Sequence, residues 1–281
     1  MTKDKYGIPS LKRDFPTEEA CLEFLYNAMH SKECECGGEY SPLKGRKQYQ
    51  CSLCRHQIAP MVGTIFEKSP TPLSLWFQAV LIFSNAKSGI SAKEMARQLE
   101  VTYKCGWRIL SQIRKALHQS KWKLDGLVEV DAGVFGGART KDKLMDGKTR
   151  IIVAIQRDGR MKAQVVPDLS AETHRKFIEK HIEKGAILMT DNSRIYKNSA
   201  KEYDRETVTH KKKEWVRGDV HINTVESFFS HLKRSLRGTH KTISSELFQQ
   251  YLDGFVFHRN NAHSDKFRFS ALLGALLQPV K

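Results

Sequence analysis

The chain has no long apolar stretch, no internal repeat and no low-complexity tail. No run of about 18 apolar residues occurs, so the sequence predicts no transmembrane helix. The first ten residues, MTKDKYGIPS, also lack the apolar core of a signal peptide. We therefore expect a cytoplasmic protein.

Acidic residues are scarce relative to basic ones. The chain has 31 Asp and Glu residues against 47 Lys and Arg residues, which gives a formal net charge of +16. This excess favours a polyanionic partner, because basic side chains that bind phosphates release condensed counterions. Charge alone leaves DNA, RNA and an anionic membrane surface open.

Cysteine is sparse, and most of it lies in one place. Four of the six cysteines occur within 21 residues: Cys34, Cys36, Cys51 and Cys54. In a reducing compartment, clustered cysteines are more often zinc ligands than disulfides. We therefore predict a small ribbon, residues 31–68, in which these thiolates hold one structural Zn²⁺. The isolated Cys21 and Cys105 are expected to be small buried side chains.

The cysteine spacing is tighter than the common zinc-ribbon pattern. It reads C-x-C-x14-C-x2-C, whereas C-x2-C-x15–20-C-x2-C is usual. His30 or His56 could replace a cysteine ligand, and loss of the metal is the other alternative.

Residues 69–122 have the pattern of a helical module with a helix-turn-helix. It opens on the helix-start signal Ser-Pro-Thr-Pro at 69–72, and a turn at 100–102 separates two runs with helical apolar spacing. The residues behind this prediction are Ile90, Met95, Ala96 and Leu99 before the turn, and Trp107, Leu110, Ile113, Arg114 and Leu117 after it. The second helix would enter a DNA major groove, with Tyr103, Lys104 and Arg108 near the DNA. A plain three-helix linker is the alternative.

The segment HINTVESFFSHLKR, residues 221–234, has the periodicity of an amphipathic helix. At about 100° per residue, one narrow face carries Asn223, Glu226, Ser230, Lys233 and Arg237. The adjacent apolar stripe would pack on a core and hold the glutamate still. A fixed carboxylate with a lysine on the same side suits a metal-dependent phosphodiester site. The alternative is a surface ion pair worth only about 0.3–0.5 kcal/mol.

Two aspartates stand where strands should end. LVEVDAGVFGG, residues 127–137, alternates as a strand that carries Asp131 and closes on a Gly-Gly turn. AILMTD, residues 186–191, is a short apolar run that ends at Asp191. Ligands of open α/β sheets gather outside the carboxyl ends of strands. Both acids are candidates for one site, and solvated strand ends are the plain alternative.

These motifs resemble those of the DDE transposases of bacterial insertion sequences, specifically the ISXO-two-like group that carries a zinc ribbon. The resemblance runs from about Cys34 to Asn261 and rests on VEVD before the Gly-Gly turn, TD at a strand end, and HINTVESFF followed by LKR. Two departures occur. The family commonly has Glu after the first aspartate, where this chain has Ala132, and its first cysteine pair is usually C-x-x-C.

The resemblance implies a catalytic site made of Asp131, Asp191 and Glu226. These acids would hold two Mg²⁺ or Mn²⁺ ions, with Asp131 bridging both, Asp191 on one and Glu226 on the other. Water would cut first, and the freed 3′-OH would then attack target DNA. Lys233 would hold a phosphate, and Asn223 would orient Glu226 or touch the DNA backbone.

The resemblance also implies DNA as the partner, through terminal inverted repeats and target DNA, and no membrane. Further DNA-binding candidates are Lys211, Lys212, Lys213, Arg234 and Arg237. Because two element ends must be brought together, we expect a homodimer or a higher oligomer. We expect the protein to act in the bacterial cytoplasm, associated with the nucleoid.

The expected fold class is α+β with several domains, since 281 residues at 40% hydrophobic content can bury a sizeable core. The predicted domains are an N-terminal helical extension at 1–30, the zinc ribbon at 31–68, the helix-turn-helix module at 69–122 and an RNase H-like catalytic core at 123–281. The core would have three antiparallel strands, at 127–136, 149–156 and 161–168, then a helix at 171–184 and the strand that ends at Asp191.

The expected activity is that of a DNA transposase which cuts element ends and transfers strands. Two alternatives stay open. A domesticated DNA-binding protein would keep the fold and lose strand transfer, and a stand-alone two-metal nuclease would cut without joining.

Overall fold

The structure is a computed structural model that describes residues 5–117, 121–136, 148–157, 159–208, 221–241 and 243–278. Packing divides the chain into two units. The first comprises Met1–Lys87, Ser91–Leu117 and Asn261–Lys281, and the second comprises Ser88–Ile90 and His118–Asn260. Within the described ranges, no helix is both long enough and apolar enough to cross a membrane.

The first unit contains a small three-stranded antiparallel sheet, in the order β1-β2-β3. Its strands are β1 (Tyr40–Pro42), β2 (Tyr49–Cys51) and β3 (Gln57–Ile58). Gly38 is needed in the loop before β1, since a Cβ there would lie 2.6 Å from the sulfur of Cys51. The sheet presents few apolar residues, as expected of a module too small to fold by core burial alone.

Helices make up the rest of the first unit. They are α1 (Ile8–Asp14), α2 (Glu18–Met29), α3 (Leu73–Asn85), α4 (Ala92–Gln98), α5 (Tyr103–Ala116) and α10 (Asp265–Leu276). The apolar α3 lies at the centre and contacts α1, α2, α5 and α10. Glu18 of α2 joins the elements further, because its carboxylate accepts the N–H groups of Leu73 and Ser74 at 2.8 and 2.9 Å.

The domain boundaries differ from those expected from the sequence. The N-terminal extension, the ribbon and the helical module pack as one unit. Residues 261–281 were assigned to the catalytic core, but they belong to the first unit. The reason is packing by α10, whose Phe269 stacks on Tyr6 with ring centres 4.9 Å apart and whose Arg268 donates to the carbonyl oxygen of Ser84 at 3.1 Å.

The predicted helix-turn-helix segment is present as α4, a short turn and α5. Ser91 and Thr102 cap the two helices by accepting backbone N–H groups from Glu94 and Cys105. The helices cross closely at Gly106, where a Cβ would lie 3.0 Å from the carbonyl oxygen of Ala92. This close approach explains why a glycine is tolerated inside α5 despite its low helix propensity.

The second unit is built on a mixed five-stranded sheet in the order β6-β5-β4-β7-β8. The strands are β4 (Leu127–Gly136), β5 (Lys148–Gln156), β6 (Met161–Val166), β7 (Ile187–Asp191) and β8 (Asp204–Val208). β4, β5 and β6 pair antiparallel, whereas β7 pairs in parallel with both β4 and β8. The predicted antiparallel strands and the strand that ends at Asp191 are therefore confirmed.

Helices cover both faces of this sheet. α6 (Ala171–His181) and α7 (Arg194–Ser199) pack on one face, with a core that includes Val130, Ile152 and Phe177. α8 (Asn223–Ser235) and α9 (Ser245–Asn260) pack on the other, with a core that includes Val153 and Phe229. A π-helical turn, Leu236–His240, follows α8 directly.

Two helix predictions need correction. α6 ends at His181 rather than near 184, because the chain turns at Ile182 into an extended conformation. The sequence predicts that the last core helix packs on the sheet through Leu247, Tyr251, Phe255 and Phe257 or His258. Phe255 and His258 are buried as expected, but Phe248 and Leu252 are buried in place of Leu247 and Tyr251. Two predicted features lie outside the described residues: Gly137 of the Gly-Gly turn, and the DNA-binding candidates Lys211, Lys212 and Lys213.

Candidate active site

Asp131 and Asp191 lie on neighbouring strands. β4 and β7 pair in parallel with a constant offset of 60 residues, and the last aligned pair is Glu129 with Met189. The two aspartates occupy the next same-face position on each strand, at the same offset, since 191 − 131 = 60. Because adjacent strands are about 4.8 Å apart and side chains alternate, both acids project from one face of the sheet near each other.

α8 brings Glu226 to that same face. Val225 and Phe229 are buried against the sheet, whereas Glu226 is half-buried in the first turn of the helix. Glu129 fixes this end of α8, because its carboxylate accepts the backbone N–H groups of Thr224 at 2.9 Å and Val225 at 3.2 Å. Glu226 therefore directly follows Thr224 and Val225, which are hydrogen-bonded to β4, the strand that carries Asp131.

The pKa of a buried tyrosine is affected by the charges of both aspartates. Tyr196 on α7 is 3% exposed, and its hydroxyl has no hydrogen-bond partner among the described residues. Burial raises the pKa of this phenol well above its ordinary value, and the negative charges of Asp131 and Asp191 raise it further. The two carboxylates therefore act electrostatically on a single side chain.

The three acids do not meet at one point. In the described part of the chain, the ribbon cysteines are the group that brings three or more ligand atoms within 4.8 Å of one another. Two ions about 3.5–4 Å apart have their carboxylates spread around the pair, so tighter convergence is not needed. The donor set, carboxylates on one face, suits hard ions such as Mg²⁺ and Mn²⁺.

Cationic and polar side chains continue along α8 from this site. Asn223 is exposed at the start of the helix, and Lys233 and Arg234 are exposed near its end. The ammonium of Lys233 lies 5.9 Å from the centre of the Phe135 ring. Arg237 is exposed on the π-helical turn. The face predicted from helical periodicity is therefore open to solvent, as an approaching phosphate requires.

The ribbon cysteines form a compact cluster in the first unit. The Sγ atoms of Cys34 and Cys54 are 3.6 Å apart, and those of Cys36 and Cys51 are 3.4 Å apart. Tetrahedral zinc with Zn–S bonds of about 2.3 Å separates its sulfurs by about 3.8 Å. The unusual C-x-C spacing therefore still brings four thiols into an arrangement that fits a zinc ion.

The environment of Cys34 favours its thiolate. The backbone N–H of Cys36 and the hydroxyl of Tyr40, whose oxygen is 3.3 Å from the sulfur, lower the pKa of Cys34 to about 6. The thiolate is the form that binds metal ions. The alternative ligands His30 and His56 are not members of the four-residue group. His56 instead lies 2.6 Å from the Tyr40 oxygen through its Nδ1.

The exposed face of α5 differs in part from its prediction. Tyr103 and Lys104 are exposed, as a DNA-facing role requires. Trp107 was expected in the buried stripe, yet it is 46% exposed and lies one turn beyond Tyr103. Arg108 is half-buried and donates to the hydroxyl of Thr71 at 2.6 Å, so it is engaged within its own unit.

The second unit matches a known family. Residues 123–260 match the ISXO2-like transposase domain, and this range runs through all the strands and helices that carry the three acids. Residues 123–260 are an ISXO2-like transposase domain.

Relatives of this transposase include a protein of a mobile element. The "Uncharacterized protein in transposable element ISH50" of Halobacterium salinarum is 26% identical over 255 residues, which covers 83% of this chain and 86% of the relative. Among solved structures, a pre-cleavage Mos1 transpososome matches with 12% identity and a TM-score of 0.29, over 71% of this chain and 78% of that one.

The departure at Ala132 of the transposase domain does not disturb the acid face. Its side chain packs against the core under α6 and α7, on the opposite side of the sheet from Glu129. A glutamate at this position would therefore not share a face with Asp131, because successive side chains of a strand alternate.

Sequence reasoning missed two residues near the candidate site. Glu129 is wholly buried against the start of α8, although it was read only as one residue of an alternating strand. A signal was available in the sequence Val128-Glu129-Val130. An acid in the middle of an apolar strand needs a partner if it is buried. Tyr196 carries no such signal, because nothing local distinguishes it from an ordinary aromatic residue of a short helix.

Proposed function

We propose that this transposase is a DDE enzyme that cuts DNA at the ends of an insertion sequence and joins the freed ends to target DNA. The observation that carries the proposal is the position of its three acids. Asp131 and Asp191 hold corresponding same-face positions on adjacent parallel strands, and Glu226 stands on the helix tied to that face.

The strand order supports an RNase H-like core. Three antiparallel strands are followed by two strands parallel to the first, with helices on both faces. In such a sheet a crevice opens beyond the carboxyl ends of the parallel strands. Asp191 ends β7, whereas Asp131 is in the middle of β4 rather than at the strand end expected from the sequence, just beyond the point where β4 stops pairing with β7.

The acids Asp131, Asp191 and Glu226 would hold two Mg²⁺ or Mn²⁺ ions. When bound, such ions neutralise charge on the phosphate and stabilise the attacking and leaving oxygens of an in-line displacement. Lys233, exposed on the same helix as Glu226, would bind a DNA phosphate as a point charge. Asn223 would contact the backbone near the scissile phosphate or orient Glu226.

The first unit would recognise the element ends. The four-cysteine cluster would hold one structural Zn²⁺ and so fix the ribbon, while α5 would present Tyr103 and Lys104 to the major groove. Arg234, Arg237 and Lys211, Lys212 and Lys213 would add phosphate contacts. The net charge of +16 supports a polyanionic partner. Two ends per reaction call for a dimer or a higher assembly, acting at the nucleoid.

A strand-transfer assay tests this proposal. Purified full-length protein is incubated with Mg²⁺ or Mn²⁺ and a labelled duplex that carries the terminal inverted repeat, beside the Asp131→Ala variant. We expect joined products from the wild type and none from the variant. Nicks without joining would favour the stand-alone nuclease, and binding without cleavage under either metal would favour a domesticated DNA-binding protein.

A further inference from the structure

Glu129 is a fully buried carboxylate beside the candidate active site. It is 0% exposed and stands two residues before Asp131 on the same face of β4. Its Oε2 accepts the backbone N–H groups of Thr224 and Val225 at 2.9 and 3.2 Å, and its Oε1 accepts the Thr224 hydroxyl at 2.8 Å. A buried charge is tolerated only when it is paired and hydrogen-bonded in this way.

Two basic side chains complete the surroundings of Glu129. Arg157 Nη2 and His221 Nδ1 each lie 3.3 Å from its Oε1. The same Arg157 nitrogen is 2.9 Å from the sulfur of Met189 and 3.5 Å from the carbonyl oxygen of His221. Arg157 thus links Glu129 to β7, which ends at the second aspartate, and to the residue that precedes the start of α8.

Glu129 replaces a missing local cap of α8. Ile222, at the N-cap position, makes no side-chain capping bond, whereas Ser or Thr residues cap α2, α4, α5, α6, α7 and α10. The first backbone N–H groups of a helix need acceptors, and its positive end favours a negative charge. Glu129 supplies both from a strand 95 residues earlier in the chain.

The bonding of Glu129 distinguishes it from a metal ligand. A carboxylate has about four acceptor positions on its two oxygens. Two backbone N–H groups, one hydroxyl and Arg157 occupy them. A metal ion could bind Glu129 only by displacing one of these hydrogen-bond or ion-pair partners. The Glu129 carboxylate therefore serves to fix the start of α8.

We propose that Glu129 is the positioning residue of the transposase site, fixing α8 so that Glu226 stands beside Asp131 and Asp191. This inference rests on the proposed function. The connection is short: Glu129 is two residues from Asp131 along β4, and its partner Val225 directly precedes Glu226. If the start of α8 shifted, Glu226 would shift with it. Misplacement of a catalytic group by about 1 Å can lower the rate about 100-fold.

The first test compares two glutamates that accept backbone N–H groups at the start of a helix, the buried Glu129 and the half-buried Glu18. Glu129→Gln keeps the side-chain shape but removes the charge, and its amide nitrogen must face the donors on one side, either the two backbone N–H groups or the Thr224 hydroxyl and Arg157. Glu18→Gln does the same to the cap of α3 in the first unit. With saturating DNA, we expect Glu129→Gln to lower the cleavage rate about 10–100-fold and to raise the Mn²⁺ concentration for half-maximal rate. Glu18→Gln should change neither.

The second test does not depend on activity. Hydrogen–deuterium exchange of the full chain reports on peptides that cover residues 222–228. We expect Glu129→Gln to speed exchange there about tenfold or more, with exchange in β5 unchanged, because the first-turn amides lose a charged acceptor. The Glu18→Gln protein should match the wild type at these residues. This result stands even if the wild type neither cuts nor joins DNA, which would defeat only the proposed function.

Thr224→Val covers the case in which Glu129→Gln does not fold. It removes the hydroxyl bond to Glu129 and leaves both backbone bonds in place. We expect a cleavage rate about 2–5-fold lower and faster exchange at 222–228, with a melting temperature only a few degrees lower, because one hydrogen bond to a buried charge is lost. Wild-type exchange and a wild-type Mn²⁺ dependence in this variant, or in a folded Glu129→Gln protein, would overturn the positioning role.

Discussion

At the residue scale, backbone register places the two aspartates. The parallel pairing of β4 with β7 stops at Glu129 and Met189, and each aspartate takes the next same-face position beyond it. Strands that stop pairing leave a crevice at their ends, where a phosphate and its ions can enter. Burial, and then the charges of both aspartates, raise the pKa of Tyr196 on α7.

Loss of one carboxylate charge should stop the chemistry and spare binding. Asp191→Asn preserves shape but removes a charged oxygen from the proposed metal site, so we expect cleavage to fall at least about 10³-fold. The dissociation constant for the terminal duplex should stay within about twofold of the wild type. Glu226→Gln should behave in the same way.

Asp204→Asn is the matched control for this prediction. Asp204 is exposed at the opposite end of the neighbouring strand β8, paired with Ile187 rather than with Asp191. It should cut DNA at the wild-type rate. Full cleavage by Asp191→Asn would remove that residue from the site.

The residues of the site differed in how well the sequence could predict them. Asp131, Asp191 and Glu226 follow from strand alternation, an apolar run and helical periodicity, which are all local patterns. Asp131 and Asp191 are 60 residues apart, which equals the register offset between β4 and β7. This equality could not be predicted from either strand alone, since register depends on how the two strands pair. Glu129 was missed for the same reason, because its partners lie 95 and 96 residues away.

At the scale of elements, the ribbon and α5 each carry part of the proposed DNA recognition. The ribbon strands are two or three residues long, so a zinc ion held by the cysteine cluster would supply most of their stability. α5 is better supported, since Ile109, Leu110 and Ile113 are fully buried. The two elements should therefore respond differently to mutation.

Removal of ribbon cysteines should release zinc. Cys51→Ser and Cys54→Ser each leave three thiols, so we expect zinc, measured by mass spectrometry on purified protein, to fall from one equivalent to a small fraction. Binding to the terminal duplex should weaken about tenfold or more, because the ribbon unfolds without its metal. Cys105→Ser, outside the cluster, should keep its zinc. One equivalent of zinc surviving in both ribbon variants would refute the ligand assignment.

The exposed tryptophan of α5 should contribute to DNA recognition. Trp107 stands one turn beyond Tyr103, where an apolar side chain can contact a thymine methyl group in the major groove. We expect Trp107→Ala to weaken binding of the terminal duplex about tenfold without lowering the melting temperature. Phe267→Ala, at another exposed aromatic residue of the same unit, should bind as the wild type. Equal affinities for both variants would remove Trp107 from the DNA surface.

Elements were easier to predict than their faces. The core strands and α4, α5 and α8 begin within a few residues of their predicted starts, because caps and apolar periodicity mark them. Trp107 and the first half of α9 were assigned to the wrong face. In α5 the side that packs on α4 includes Gly106, and Trp107 lies beside that side rather than on it. In α9 residues 247 and 248 are both apolar, so either one could face the core, and only the packing determines which one does.

At the scale of the whole molecule, one chain combines a cysteine-bearing helical unit with a transposase domain. The family match spans residues 123–260, and similarity to the mobile-element relative covers 83% of the chain. The return of α10 to the first unit could not be predicted, because its apolar residues would suit either core. It means that truncation after residue 260 would remove part of the first unit rather than trim the catalytic one.

Metal positions test the central claim of this account most directly. Crystals of the full chain with a terminal DNA duplex and Mn²⁺ would give anomalous scattering peaks at bound manganese. We predict two peaks about 3.5–4 Å apart, contacted by Asp131, Asp191 and Glu226, with none on Glu129. Manganese bound elsewhere, with these three acids free of metal beside the DNA, would contradict the assignment of the active site.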